Sequence, residues 1–269
     1  MSLCIFCRVD ASSSRSVEHV IPESLGNTRH TLRPGIVCDK CNNYFATKVE
    51  KPFLETEAIQ RLRFHEEIPS KRGRVPPASL LLLPEFPVTM YKLPRSSGFY
   101  GILDVSPEAA KHISSNEECK IFAPVYTPDP PQRVVSRFLA KAAIEMLGSR
   151  LAAYPAYIDD MASEPQLDAI RNHARRGEPA DWPIHTRRLY PADARIVDNQ
   201  GKYEQVVHES DILVTPWSEW FYVLCVFGLE LVINYGGPEV SGYQRWLSEN
   251  DGRSPLYSGR NAAALPTMP

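Results

Sequence analysis

The sequence predicts an α+β protein made of a small metal-stapled module followed by a larger α+β domain. Two features of the start carry the first half of that statement: Cys4-Ile5-Phe6-Cys7 and Cys38-Asp39-Lys40-Cys41 are two C-x-x-C pairs, and the stretch between them is dense in His, Asn, Glu and Gly. The second half rests on the remainder, where short strand-like runs punctuated by Pro, Ser and Gly alternate with segments of helical periodicity.

The cysteine pairs come first. Each C-x-x-C turn brings two sulfurs to one side, and two such turns supply a closed tetrahedral set of thiolates, the usual shell of structural Zn²⁺. A closed shell leaves no position for water, so this zinc is expected to be structural and to replace the core that so short a segment cannot build. Cys119 and Cys225 stand alone and read as small buried apolar residues. After Cys41 the pattern turns helical, with Tyr44 or Phe45, Val49 and Phe53 at three-to-four spacing; Pro52 either starts a second helix or kinks the first.

Residues 1–64 are taken as the first module. Residues 65–79 form a basic, proline-ended connector with Lys71, Arg72, Arg74 and Pro76-Pro77, readable as a solvated linker or as a strap along a nucleic-acid backbone. Residues 80–269 are the second domain, a fold of no recognised type. Strands are expected at Ser79–Leu83, Val88–Leu93, Phe99–Val105, Lys120–Tyr126, Ile184–Tyr190, Gln205–Val207, Ile212–Thr215, Phe221–Phe227 and Leu229–Tyr235. The clearest helix is Gln132–Leu151; a second, Pro165–Arg176, is stopped by Gly177. Charged residues on the long helix, Arg137, Lys141 and Glu145, read as a solvated or groove-lining face. Trp217, Trp220, Phe221, Tyr222, Phe227 and Tyr235 read as sheet core, and the stretch from Asn250 as a loose tail.

The chain of 269 residues has a formal net charge of -2 and is 43% hydrophobic, a balance that suits a globular protein and not an obligate polyanion binder. Any nucleic-acid surface must therefore be local. Met1-Ser2-Leu3-Cys4 has neither the basic nor the apolar part of a secretory signal, and no run reaches the ~20 apolar residues of a membrane span. A cytoplasmic protein with no membrane contact is the expectation.

Between the pairs runs Val17-Glu18-His19-Val20-Ile21-Pro22-Glu23-Ser24-Leu25-Gly26-Asn27, and Asn42-Asn43 follows the last cysteine directly. A C-x-x-C pair, an acidic-His-x-x-Pro segment, a second C-x-x-C pair and an immediate Asn resemble the zinc-containing HNH endonucleases, over about residues 4–54. The resemblance implies a ββα-metal fold: two strands carry the acidic-His segment, the following helix carries the Asn, and zinc ties the ends. It implies a phosphodiesterase in which Glu18 and Asn42 are oxygen ligands of a catalytic Mg²⁺ or Mn²⁺ and His19 is the general base. The chemistry is coherent, because neutral imidazole suits proton abstraction from water and a hard cation offsets phosphate charge. Two departures stand out. Glu18 replaces the commoner Asp, and the loop before the second cysteine pair, Thr31 to Val37, lacks the family's middle Asn, a bracing role left open to Asn27.

Adjacent residues of a strand face opposite ways, so Glu18 and His19 can serve one phosphate only if the backbone bends or one side chain wraps round. Asn43 can exchange roles with Asn42, and Asn42 is alternatively a helix N-cap. Glu50 either supports a metal-bound water or forms a surface ion pair, and His30 either meets phosphate or sits in a solvated loop. Arg15, Arg29, Arg33, Lys40 and Lys48 are the expected contacts to the DNA backbone. The leading function is a DNA endonuclease, plausible in defence or restriction. A non-catalytic docking module and an RNA-cleaving nuclease are the alternatives. The second domain is expected to regulate, target or oligomerise the enzyme, with an activating signal or partner protein as its input.

Overall fold

A computed structural model describes residues 2–27, 30–93, 100–123, 130–192, 194–197, 203–205 and 208–256. It is an α+β protein with several antiparallel sheets. In chain order the elements are β1 (Glu18–His19), β2 (Thr31–Leu32), α1 (Asp39–Phe45), a π-helical turn (Ala46–Glu50), α2 (Lys51–Leu54), α3 (Glu57–His65), β3 (Ala78–Leu82), β4 (Phe86–Lys92), β5 (Gly101–Asp104), α4 (Pro107–Ser115) and β6 (Ile121–Phe122). There follow α5 (Gln132–Leu151), α6 (Pro155–Ser163), α7 (Asp168–Arg176), β7 (His185–Arg188), β8 (Arg195–Val197), β9 (Tyr203–Gln205), β10 (His208–Val214), β11 (Trp220–Val226), β12 (Leu229–Asn234) and α8 (Ser241–Glu249). No helix among the described residues is long and apolar enough to cross a membrane.

The chain groups into two compact units, residues 1–53 with 131–269 and residues 54–130. This grouping differs from the expected order of module, linker and second domain. The segment that leaves the cysteine-rich start returns to it: α5 packs against β2, the π turn and α7 as well as against the sheet of β10, β11 and β12. The basic connector lies inside the second unit, where Lys71, Arg72 and Arg74 are exposed on a turn closed by Ser70 N–H to the Arg74 carbonyl at 2.7 Å.

The first unit is organised by α5, which is apolar on nearly all sides. Val135, Phe138, Leu139, Ala140, Ala142, Ala143, Ile144 and Met146 are all buried, as a helix surrounded by protein requires. One side lies on the antiparallel sheet β10-β11-β12-β7, and the hydroxyl of Tyr235, just after β12, donates to the Ala143 carbonyl of the helix at 2.7 Å. The other side receives the N-terminal module: Phe53 stacks on Phe138 with ring centroids 4.0 Å apart, and at Gly148 a Cβ would lie only 3.2 Å from Ile5 and 3.8 Å from Ile36. The sheet is covered on its second face by α8, with Phe221, Val223, Cys225, Val232, Tyr243 and Leu247 forming a core. Buried on both faces, β11 reads as an unbroken apolar run and not an alternating one.

In the second unit the sheet β5-β4-β3-β6 packs one face on α4 through Leu82, Val88 and Ala109. β8 and β9 pair as a separate antiparallel ladder.

Several expectations are corrected. Lys141 and Glu145 are wholly buried, not solvated. Trp217 and Trp220 are 39% and 44% exposed, while Phe221, Tyr222, Phe227 and Tyr235 are core. The stretch after Asn250 is anchored as far as it is described, since Ser254 donates to Glu230 at 2.5 Å and Leu256 is buried. The expected strand ends at Phe99, 124–126 and 206–207 and the tail from 257 lie outside the described residues. Pro52 does not open a separate helix: the chain passes from α1 through the π turn into α2, with Pro52 as the second residue of α2.

The β11–β12 hairpin turns on Phe227 and Gly228, with φ of 48° and 77°. Positive φ at both central positions is the twist-matched two-residue hairpin turn. At Gly228 a Cβ would lie 2.0 Å from the Tyr190 carbonyl oxygen, so only glycine fits. Gly228→Ala is expected to lower unfolding stability by roughly 1–3 kcal/mol, read from the midpoint of chemical denaturation.

Candidate functional site

The cysteine cluster is built by two turns that face each other. In the first, the Arg8 N–H bonds to the Cys4 carbonyl at 2.9 Å and Arg8 takes φ of 61°, reversing the chain after Cys7. In the second, Cys38 is the N-cap of α1, and its sulfur accepts the Cys41 N–H at 3.4 Å. The Cys38 N–H points to the Cys4 sulfur at 3.4 Å, and Ile5 N–H to the Ile36 carbonyl at 3.1 Å locks the turns together. The ligand sulfurs of Cys4, Cys7, Cys38 and Cys41 all lie within 4.8 Å of one another. Tetrahedral thiolates at ~2.3 Å from one ion would be about 3.8 Å apart, so the set fits zinc. Left to themselves the thiols cannot share charge evenly. The Cys4 thiol is lowered to about 4, chiefly by a hydrogen bond from Cys41, and burial pushes Cys38 up to about 11.

Above the cluster lies the β1–β2 hairpin, with Glu18 opposite Leu32 and His19 opposite Thr31. Its loop is braced by Asn27, wholly buried, whose amide donates to the Ile21 and His30 carbonyls at 2.6 and 3.0 Å and accepts the His30 N–H at 2.9 Å. Asn27 thus performs a bracing role at this loop. The strand keeps its alternation: Glu18 is 5% exposed, whereas His19 is half-buried. The Nδ1 atom of His19 is buried without a hydrogen-bond partner among the described residues.

The Val20 N–H bonds to the His30 carbonyl across the hairpin at 3.1 Å. The carbonyls of Val17 and His19 therefore point away from β2. Each is taken by a different helix. The Asn42 amide, in the first full turn of α1, donates to the Val17 carbonyl at 3.4 Å, and the Lys141 ammonium of α5 donates to the His19 carbonyl at 2.9 Å. Asn42 is not the N-cap, since that position belongs to Cys38. Asn43 is exposed, and its carbonyl accepts from Thr47.

Lys141 is the centre of an unusual set of oxygens. Its Nζ lies 2.6 Å from Glu18 Oε1, 2.5 Å from Glu50 Oε1 and 2.7 Å from Glu145 Oε2, besides the His19 carbonyl. An ammonium has three protons, so four oxygens compete for them. Burial alone would lower Lys141, yet Glu145, Glu50 and Glu18 hold it well above the ordinary lysine range. Burial pushes Glu145 far up and Glu18 up, the nearby ammonium opposing it in both. Glu50 is thus neither a surface residue nor a surface ion pair. Lys141 and Glu145 were legible only through context: their neighbours Phe138, Leu139, Ala140, Ala142, Ala143, Ile144 and Met146 leave the helix no polar face for a solvated pair.

Arg15, Arg33, Lys40 and Lys48 are all exposed, and Arg29 lies outside the described residues. Lys40 also borders a small groove of about 190 Å³ with Cys41, Tyr44, Arg175 and Arg176. Arg175 and Arg176, at the end of α7, had no signal in the sequence beyond their charge. His30 is exposed and meets His208 edge-on at 6.0 Å between centroids.

Residues 4–56 match the family model of the HNH endonucleases, and the four clustered cysteines fit a zinc module of the four-cysteine type. The N-terminal segment is thus an HNH module, and the match supports a nuclease function. No curated protein and no solved structure gave a match.

The purified protein is expected to carry one zinc per chain by elemental analysis. Cys41→Ser should lose it and, with it, the cooperative melting of the module, because structural zinc supplies roughly 10–16 kcal/mol of apparent binding energy to such sites. Full zinc retention by Cys41→Ser would show that the four sulfurs are not one shell.

Proposed function

We propose that the protein is a divalent-metal endonuclease acting on DNA, with Glu18, His19 and Asn42 as its hydrolytic residues. The observation that carries this is the convergence of Asn42 on β1, at the carbonyl of the residue before Glu18, within the segment that matches HNH endonucleases. Glu18 gives one oxygen to Lys141; its other oxygen and the Asn42 amide oxygen would hold Mg²⁺ or Mn²⁺, both being the hard oxygen donors such ions prefer. The bound cation would offset charge on the phosphate and on the leaving 3′ oxygen.

His19 has the protein's share of the proton transfer. On the solvent side of β1 its half-buried imidazole would take a proton from the attacking water. Because Glu18 and His19 leave the strand on opposite sides, the scissile phosphate would sit across the strand's outer edge, where Asn42 lies. Arg15, Arg33, Lys40 and Lys48 would bind neighbouring phosphates without reading bases. We assign the remaining parts of the chain a regulatory, targeting or self-associating role, of the kind a defence or restriction effector needs.

The test is plasmid nicking with Mg²⁺ or Mn²⁺, run beside a structured RNA. Wild type is expected to cut DNA, and His19→Ala to be slower by about 10²-fold or more with its zinc intact. Equal cutting by both would remove His19 as base. Cleavage of RNA alone would move the substrate class, and binding without cleavage by wild type would favour a docking module.

A further inference from the structure

We propose that Lys141, which lies outside the segment matching HNH endonucleases, is a positioning residue of the hydrolytic site, a role that rests on the assignment of Glu18 as a ligand above. The inference stands on three observations. First, the ammonium touches both the side chain of Glu18, at 2.6 Å, and the backbone carbonyl of the next residue, His19, at 2.9 Å. It therefore fixes the strand and the carboxylate together. Second, the Val17 and His19 carbonyls that point away from β2 are about 7 Å apart along the strand, and Asn42 and Lys141 take one each. Glu18 is held between the two grips, so Lys141 sets where Glu18 sits relative to Asn42. Third, Lys141 is itself locked: it is wholly buried and pinned by Glu50 and Glu145 at 2.5 and 2.7 Å.

The alternative role for a cation at this spot is to compete with the metal for Glu18. The two roles predict opposite effects. A competitor, once removed, leaves Glu18 a stronger ligand; a positioning residue, once removed, leaves Glu18 free to turn away from Asn42. The geometry favours positioning, because a competitor needs only the carboxylate and has no reason to hold the His19 carbonyl.

The experiment measures Mn²⁺ binding by electron paramagnetic resonance on full-length, zinc-loaded protein, without substrate. The first variant is Lys141→Met with Glu145→Gln, which removes one formal charge of each sign and leaves Glu145 no orphaned carboxylate. Its Mn²⁺ dissociation constant is expected to rise about 10-fold or more, the usual cost of losing a group that orients a metal ligand. The second variant, Lys141→Gln with Glu145→Gln, keeps an N–H donor near Glu18 and the His19 carbonyl and is expected to recover at least part of the loss. Where the Met form does not fold, the Gln form decides alone: binding within about threefold of wild type supports positioning. Unchanged or tighter Mn²⁺ binding by a folded Met form, or a Gln form no better than a folded Met form, overturns the proposal; where only the Gln form folds, binding more than about threefold weaker than wild type does. Wild type that binds no Mn²⁺ would instead sink the ligand role of Glu18, and this inference with it.

Discussion

A lysine ammonium sealed from water cannot be left without anions, and that requirement shapes the first unit. Lys141 is wholly buried on a helix that is otherwise apolar, so its charge must be met by groups brought from elsewhere in the chain. Glu18 comes from β1, Glu50 from the end of the π turn, and Glu145 from one turn further along α5. Removing Lys141 would leave these carboxylates without their cation, and breaking a buried ion pair in that way typically costs about 3–5 kcal/mol. The position of the hairpin on α5 is therefore fixed by charge as well as by packing.

Zinc and α5 divide the work of holding the N-terminal module. The cysteine turns set the distance between the start of the chain and the start of α1, but a zinc shell has no apolar surface to offer beyond itself. That surface comes from α5: Phe138 stacks on Phe53, and Gly148, lacking a side chain, lets Ile5 and Ile36 come close. Arg137, one turn before Lys141, donates to the Tyr44 hydroxyl and to the Ala174 carbonyl, joining α1, α5 and α7. The segment that matches the family thus has its inner face completed by a helix encoded far downstream.

What the sequence made legible follows from how each feature is encoded. The zinc ligands stand at fixed spacing, and α5 from Gln132 to Leu151 agrees with its apolar periodicity to the residue. The strands β3, β4, β11 and β12 were found within a residue or two, because β-branched and aromatic runs between turn residues are a local signal. Three short helices were missed. Of these, α4 buries little more than Ala109, so it has no apolar stripe to read, although Ser106 caps it through the Ala109 N–H and a proline follows. The exposure of Trp217 and Trp220 was misread because composition cannot distinguish a core aromatic from one at a strand's end; Arg245 covers the Trp217 ring at 3.5 Å. The largest gap was Lys141. Its partners are 91 and 122 positions away in the Glu50 and His19 contacts, and no local pattern records contacts of that range.

That long range has a consequence for how the chemistry is assembled. The residues proposed to act on the phosphate lie within one short hairpin and one helix, and a self-contained module would hold them with its own side chains. Here the strand bearing them is gripped on its outer edge by Asn42 from inside the module and by Lys141 from outside it. Any motion that shifts α5 against β1 must pull on the His19 carbonyl and on Glu18 at once, since one ammonium holds both. The sheet of β10, β11 and β12 rests on the opposite side of the same helix, with the Tyr235 hydroxyl tied to the Ala143 carbonyl two residues past Lys141. The helix that holds β1 by one ammonium thus carries this sheet on its other side.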